Sequence, residues 1–343
     1  MANLKDYDAV IDVRSPDEFA LDHLPGAINL PVLSNEERAQ VGTINAQQSS
    51  FDANRIGAAL ISRNIAQLLD TQLADKPRHW QALIYCWRGG NRSGSLATVL
   101  ARIGFRIQVL DGGYRSYRRW VIDALGALSE QQFRVIGGRT GTGKSRILRA
   151  LNELGAQVLD LEALANHRGS VLGLLPQTRQ PSQKLFDTRL RIALAQLDPN
   201  RPVFVESESR KIGQIQIPES LINRIRSSPC HIIDMPVAAR ANFLLNDYPH
   251  FVDQPDLLVD HLEKLNALHG GKTIEHWTSL IRSQQWQSFV QDMLSNHYDP
   301  SYDQSMRRNF ALLDEANRIA INAPSPGTAE FTQAARDILA LSG

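Results

Sequence analysis

The chain has two cysteines in 343 residues, Cys86 and Cys230, and no apolar run near the twenty residues of a membrane span. Two cysteines build neither a disulfide framework nor a cysteine-based zinc site. Aromatics are sparse at 7% and charged residues stand at 21%, while hydrophobic residues reach 43%, the balance of an ordinary globular protein. The chain shows no internal repeat and no low-complexity segment. The polar start MANLKDYD is no signal peptide, so a reducing, cytoplasmic setting with no membrane partner is expected. The formal net charge of +1 hides an asymmetry. Residues 129–235 carry 15 basic and 10 acidic side chains, net +5, and residues 236–343 carry 8 and 13, net −5. A basic middle segment fits a polyanionic partner, and ordinary scatter of surface charge fits it equally well.

This length predicts two domains, each with its own core. AVIDV (9–13), AINLP (27–31), ALIYC (82–86) and RIQVLD (106–111) read as strands between helical stretches. The alternation argues a parallel sheet covered on both faces. It resumes at FRVIG (133–137) and continues through AQVLDL, PVFVE (202–206) and HIIDM (231–235). Beyond Pro236 strand signals fade and helical patterns dominate. The segments are therefore 1–128, 129–235 and a mostly helical 236–343 attached to the second.

Cys230 lies in an apolar stretch and reads as a small buried hydrophobe. Cys86 differs: it ends a strand and opens Cys86-Trp87-Arg88-Gly89-Gly90-Asn91-Arg92-Ser93. Glycines that let backbone N–H groups turn inward, the start of a helix, and the charges of Arg88 and Arg92 all favour a thiolate. Such a ring cradles a persulfide, a selenide or phosphate oxygens.

The second loop, Gly138-Arg139-Thr140-Gly141-Thr142-Gly143-Lys144-Ser145, fits G-x-x-x-x-G-K-[ST] between an apolar strand and a helix. Gly138, Gly141 and Gly143 permit the turn, and backbone N–H groups including that of Thr142 face the phosphates. Lys144 reaches terminal phosphate oxygens, and Ser145 would bind Mg²⁺ where that ion takes part. Diphosphate esters offer the same oxygens as nucleotides. Period-two geometry places Glu206 and Glu208 on one face at the end of strand 202–206, where an acid/base group or a ligand of metal-bound water belongs. Trp277 and Trp286, nine residues apart on a helical stretch, read as core rather than as base-stacking groups. Tyr114 and Tyr117, interleaved with Arg115, Arg118 and Arg119, read either as a grip on an RNA backbone or as a solvated helix face.

Residues 8–113 resemble a rhodanese domain. Asp12-Val13-Arg14-Ser15-Pro16 with Glu18-Phe19, His23-Leu24-Pro25-Gly26-Ala27-Ile28-Asn29 and Leu110-Asp111-Gly112-Gly113 carry the likeness. The cysteine loop departs from it: five residues separate Cys86 from Arg92, where most rhodaneses have four. Five is a phosphatase spacing, although Tyr85 stands where classical tyrosine phosphatases have histidine. Nearly the whole chain resembles the bacterial tRNA 2-selenouridine synthase family. Cys86 to Ser95, Asp160-Leu161-Glu162, His167-Arg168-Gly169-Ser170, Val205 to Gly213 and His297-Tyr298-Asp299-Pro300-x-Tyr302 are the matching motifs. The resemblance implies an α/β chain, a rhodanese-like parallel-sheet domain followed by a P-loop NTPase-like domain with a helical C-terminal part. It implies replacement of the sulfur of wobble 2-thiouridine, in tRNAs such as those for Lys, Glu and Gln, by selenium from selenophosphate. A geranyl group from geranyl diphosphate is first placed on that sulfur. Cys86 is then the selenium-handling nucleophile and Arg92 its anion partner. Asp160 joins the acid/base or metal-water candidates; His167, Arg168, Arg210 and Lys211 join the tRNA or anion contacts. No tightly bound cofactor is expected. A P-loop kinase or NTPase with a rhodanese-like regulatory or phosphatase module is the alternative.

Overall fold

The computed structural model describes residues 4–127, 131–167, 179–247, 255–263 and 265–342. It divides into two units, residues 1–127 with 181–192, and residues 128–180 with 193–343. None of the described helices is long and apolar enough to cross a membrane.

The first unit runs β1 (Ala9–Asp12), α1 (Pro16–Leu21), β2 (Ala27–Asn29), α2 (Asn35–Gln47), α3 (Ser50–Asp70), β3 (Gln81–Tyr85), α4 (Asn91–Ile103), β4 (Arg106–Val109) and α5 (Gly113–Gly126). Its four strands are parallel in the order β2-β1-β3-β4. Ala82 to Tyr85 of β3 are all buried, as a parallel strand with both faces covered requires. Helix α4 turns Leu96, Ala97 and Leu100 onto that strand's core and stops at Gly104, in the left-handed conformation. At the end of β1, Arg14 and Asp12 form a fully buried ion pair, with Arg14 Nη2 2.6 Å from both Asp12 Oδ2 and the Asp22 carbonyl. The Arg14 guanidinium also lies 3.9 Å from the centre of the Tyr114 ring. Two charges at this depth are tolerable only because each is paired and hydrogen-bonded.

The second unit contains β5 (Phe133–Gly138), α6 (Lys144–Glu153), β6 (Gln157–Leu159) and α7 (Leu161–Leu164). Helix α8 (Gln183–Ala195), most of which belongs to the first unit, follows in sequence. The second unit continues with β7 (Val203–Glu206), the small antiparallel pair β8 (Lys211–Ile212) and β9 (Ile215–Gln216), α9 (Glu219–Arg226) and β10 (Cys230–Asp234). The remainder is α10 (Val237–Asp247), α11 (Pro255–Glu263), α12 (Asn266–His269), α13 (Gly271–Arg282), α14 (Trp286–Met293), a π-helical turn (Leu294–Tyr298), α15 (Asp299–Asn309), β11 (Asn317–Ala320) and α16 (Thr328–Ser342). Five parallel strands stand in the order β11-β10-β5-β7-β6. Successive connections leave β5 toward opposite edges. The carboxyl end of β5 is thus the switch point where such sheets bind ligands, and the loop 138–145 occupies it.

Three details differ from the sequence reading. Strand β11 lies in the segment read as helical. It is an edge strand with one buried side chain, Ile319, so its apolar pattern is faint. The apolar stretch 274–298 is not one helix but two, broken at Ser283–Gln285, where Gln284 has φ 57°. Residues 181–192, inside the sequence boundary of the second domain, belong with the first unit. There Asp187 pairs with Arg118, Thr188 Oγ1 lies 3.3 Å from Tyr117 Oη, and the Arg191 guanidinium lies 4.4 Å from the Trp120 ring centre.

Candidate functional site

In the first unit the loop after β3 wraps Cys86. Ser93 Oγ donates to Cys86 Sγ at 3.2 Å, and the N–H groups of Ser93 and Arg88 also point at the sulfur. Burial alone would raise the thiol's pKa. Those hydrogen bonds, with the charge of Arg92, outweigh it and hold the thiol below its ordinary range. The closing turn supports the loop from beneath: Tyr114 N–H donates to the Cys86 carbonyl at 2.8 Å and Arg115 N–H to the Trp87 carbonyl at 3.0 Å. Gly113 (φ 58°) is obligatory here, because a Cβ would collide with the Cys86 carbonyl oxygen.

Arg92 is not turned onto the sulfur. Its Nη1 donates to Glu18 Oε2 at 2.6 Å, and that oxygen also accepts from Ser15 N–H at 3.1 Å. Glu18 therefore holds Arg92 beside the loop, and the arginine's effect on the thiol is one of charge. The Arg88 side chain is exposed. Cys230 is buried, and burial pushes its thiol up to about 11.

In the second unit the loop 138–145 forms one wall of a cavity of about 920 Å³. Lys144 Nζ donates to the Gly138 carbonyl at 3.0 Å, and Gly138 N–H donates to Tyr302 Oη at 2.6 Å. Tyr302 Oη is also 3.0 Å from Ser207 Oγ. Thr142 Oγ1 donates back to the Arg139 carbonyl at 2.8 Å. Arg240, itself buried, grips Asp299 through both nitrogens at 2.8 and 2.7 Å and donates to the Thr140 carbonyl at 3.0 Å. Arg139 is held outward by Asp303 at 2.6 Å. Asp299 and Tyr302 of the motif near the C-terminus thus brace the loop, a role its sequence did not disclose.

Opposite Lys144, carboxylate oxygens of Glu162, Glu206 and Glu208 lie within 4.8 Å of one another. Glu206 and Glu208 share the cavity as period two predicts. Glu162 figures in the sequence only within the Asp160-Leu161-Glu162 motif, with no role of its own. Asp160, the candidate there, lines the cavity but spends Oδ1 capping α7 at Ala163 N–H, 2.8 Å away. Ser145 Oγ donates to Glu162 Oε2 at 3.2 Å. Burial first, and then mutual repulsion, raise the pKa of Glu162 and Glu208, while burial and Asp160 raise that of Glu206. Burial lowers the Lys144 ammonium, but Glu206, Tyr302, Glu162 and Glu208 outweigh it, so the lysine stays charged. Three acids face one lysine, and buried Glu206 Oε1 has no hydrogen-bond partner. This donor set, with Ser145, fits a hard divalent cation such as Mg²⁺.

Arg146, Arg149, Asn166, His167, Asp247 and His297 are among the polar lining of the cavity, while one wall of it is apolar. Phe243, Leu244 and Leu245 of α10, Leu258 of α11, and Trp286, Phe289, Val290, Met293 and Leu294 of α14 and the turn after it line it. Sequence reasoning assigned none of them to a site. Trp286 belongs to the lining, whereas Trp277 is core as expected, with Nε1–H donating to Asp292 at 2.6 Å.

The proposed RNA contacts fall apart into groups. His167 is buried against the cavity, its Nδ1 without a hydrogen-bond partner, and burial lowers its pKa. Arg168 lies outside the described residues. Arg115 and Arg119 are exposed, Arg118 is spent on Asp187, and Tyr114 and Tyr117 are buried, offering no ring face. Arg210 pairs loosely with Glu219 at 3.6 Å, and Lys211 is exposed on β8.

Comparison with known proteins agrees with both halves. Residues 1–119 match the rhodanese-like domain family, and residues 131–275 match the family described as the tRNA 2-selenouridine synthase AAA domain. A protein named tRNA 2-selenouridine synthase from Nitrosomonas europaea is 39% identical over 244 residues, covering 70% of this chain and 63% of that protein, a little under two thirds of its length. One of the same name from Marinobacter nauticus is 32% identical over 324 residues, covering 86% and 87%. A third, from Alcanivorax borkumensis, is 30% identical over 348 residues, covering 92% and 94%. With such relatives along most of its length, the chain belongs to the tRNA 2-selenouridine synthase family.

Proposed function

We propose that the protein exchanges the sulfur of wobble 2-thiouridine in tRNA for selenium in two steps, using one loop for each. The second unit binds geranyl diphosphate, and the cysteine loop of the first unit receives selenophosphate. The observation that carries this reading is the apolar wall continuous with the phosphate loop in a single cavity. The cavity also carries polar side chains, Asn166, His167 and Asp247 among them, but a nucleotide base would not use its apolar wall. A ten-carbon isoprenoid needs what α10, α11 and α14 supply.

In the first step the thiocarbonyl sulfur attacks C1 of the geranyl chain, the C1–O bond breaks, and the diphosphate leaves with the electron pair. The base loses its N3 proton. Lys144 and the loop N–H groups stabilise charge on the leaving diphosphate, while the apolar wall keeps water from the allylic carbon. Mg²⁺ held by Glu162, Glu206, Glu208 and Ser145 would supply further positive charge at those oxygens. In the second step the Cys86 thiolate attacks the phosphorus of selenophosphate and the P–Se bond breaks. The released selenide bonds to the base carbon as the S-geranyl group departs as its thiol. Water then cleaves the S–P bond, freeing phosphate and Cys86. Cys86 is the nucleophile that handles the selenium, and the loop N–H groups and Arg92 hold the anionic donor. The tRNA partner, in the cytoplasm, meets the exposed arginines.

Titration calorimetry with geranyl diphosphate, inorganic diphosphate, ATP and GTP tests the assignment. Burial stabilises by roughly 0.8 kcal/mol per CH₂. Burying the equivalent of only about three to four of its ten carbons gives about 2.7 kcal/mol, so geranyl diphosphate is expected to bind at least on the order of 100-fold tighter than inorganic diphosphate, and tighter than either nucleotide. A nucleotide binding more tightly than geranyl diphosphate would favour the kinase or NTPase reading.

A further inference from the structure

We propose that Trp286 sets the length of prenyl chain the second unit accepts, closing the apolar end of the cavity to chains longer than ten carbons. The inference rests on the geranyl diphosphate reading above. Next to the 920 Å³ cavity is a smaller hollow of about 350 Å³, with Pro255, Val259, Ile281 and Arg282 in its wall. Among the described residues Trp286 alone lines both. Trp286 is thus the residue placed to divide them.

Its placement follows from the chain. The break at Ser283–Gln285 ends α13, and Trp286 is the first residue of α14. Phe289 and Val290, one turn later, face the larger cavity. The indole packs against a buried cluster containing Leu258, Ile281 and Phe289. The Trp277–Asp292 hydrogen bond ties α13 to α14 behind it. A partition held by packing resists displacement, because cores do not absorb extra methylenes without strain. Farnesyl diphosphate carries one more isoprene unit, five carbons, than geranyl diphosphate. With the indole in place those carbons meet a wall; with it shortened they gain a second, partly apolar hollow.

The test compares kcat/KM for geranyl and farnesyl diphosphate in the full-length protein, Trp286→Ala, Trp286→Leu and Trp286→Phe. Each enzyme acts on thiolated tRNA, with nucleoside masses as the readout. The wild type is expected to favour geranyl diphosphate. Trp286→Ala should raise the farnesyl-to-geranyl ratio at least tenfold, chiefly through a lower KM for the longer substrate, Trp286→Leu should do so less, and Trp286→Phe should stay near wild type. An unchanged ratio in an active Trp286→Ala or Trp286→Leu protein overturns the inference, as does a wild type that uses both substrates equally. The leucine variant decides the matter if the alanine variant does not fold. Absence of any geranyl transfer by the wild type is a different result. It overturns the geranyl diphosphate reading and this inference with it.

Discussion

Lys144→Ala is expected to lower S-geranylation of thiolated tRNA by about 10²- to 10³-fold or more, the scale of losing a preorganised charge at a developing anion. Selenation of tRNA geranylated beforehand should continue near the wild-type rate. The split follows from placement. Lys144 stands at the end of the phosphate loop, in a pocket shared with Glu162, Glu206 and Glu208. No other lysine lines that cavity among the described residues. Without it, the buried ammonium that Glu206, Glu162 and Glu208 keep charged is lost, and the loop N–H groups, Arg149 and Arg146, the last paired with Asp247, are left to meet the diphosphate. The cysteine loop, in the first unit, loses nothing. Nucleoside masses from the two substrates separate the outcomes, and equal loss of both half-reactions would count against assigning the diphosphate to this loop.

Cys86→Ser is expected to give the converse. S-geranylated nucleoside should accumulate while 2-selenouridine falls by roughly 10⁴-fold or more, the scale of removing a covalent nucleophile. Serine fills the same space, so the fold should hold. It does not fill the same role. The hydrogen bonds that hold the Cys86 thiol below its ordinary range cannot bring an alcohol to ionise near neutrality. The measurement is the ratio of geranylated to selenated nucleoside after incubation with both donors. A variant that still forms 2-selenouridine at the wild-type rate removes Cys86 from the chemistry.

Both loops were legible in the sequence because each is a local device. A strand, a glycine-rich turn and a helix start lie within about a dozen residues, so spacing alone reports the loop and the groups it carries. Glu206 and Glu208 were legible for the same reason, through strand period. Glu162 was not, since its membership depends on α7 folding back toward β7, and Asp160 beside it carries the stronger sequence signal as a helix cap. The apolar wall was illegible in principle: Phe243, Leu258 and Phe289 sit on separate helices whose patterns read as ordinary core. Such residues are told from core only by the empty volume they surround. Arg92 shows the reverse problem. Its motif predicts an anion partner, but the partner that holds it, Glu18, lies 74 residues earlier in α1. Tyr114 and Tyr117 likewise lay among arginines in sequence, yet helix period turned them to the core. Segment 181–192, which holds most of α8, follows the same lesson. Its place between two strands of the second unit says nothing of the residues on α5 that Asp187 and Thr188 meet.

The most direct test of two loops serving consecutive exchanges is a timed reaction of the wild-type protein with 2-thiouridine tRNA and geranyl diphosphate. Selenophosphate is withheld at first and then added, and nucleoside masses are followed throughout. The S-geranyl nucleoside should build up in the first stage and be consumed as 2-selenouridine appears in the second. Selenium incorporation that proceeds as fast with no geranyl diphosphate present, or a first stage that yields no geranylated nucleoside, would contradict it.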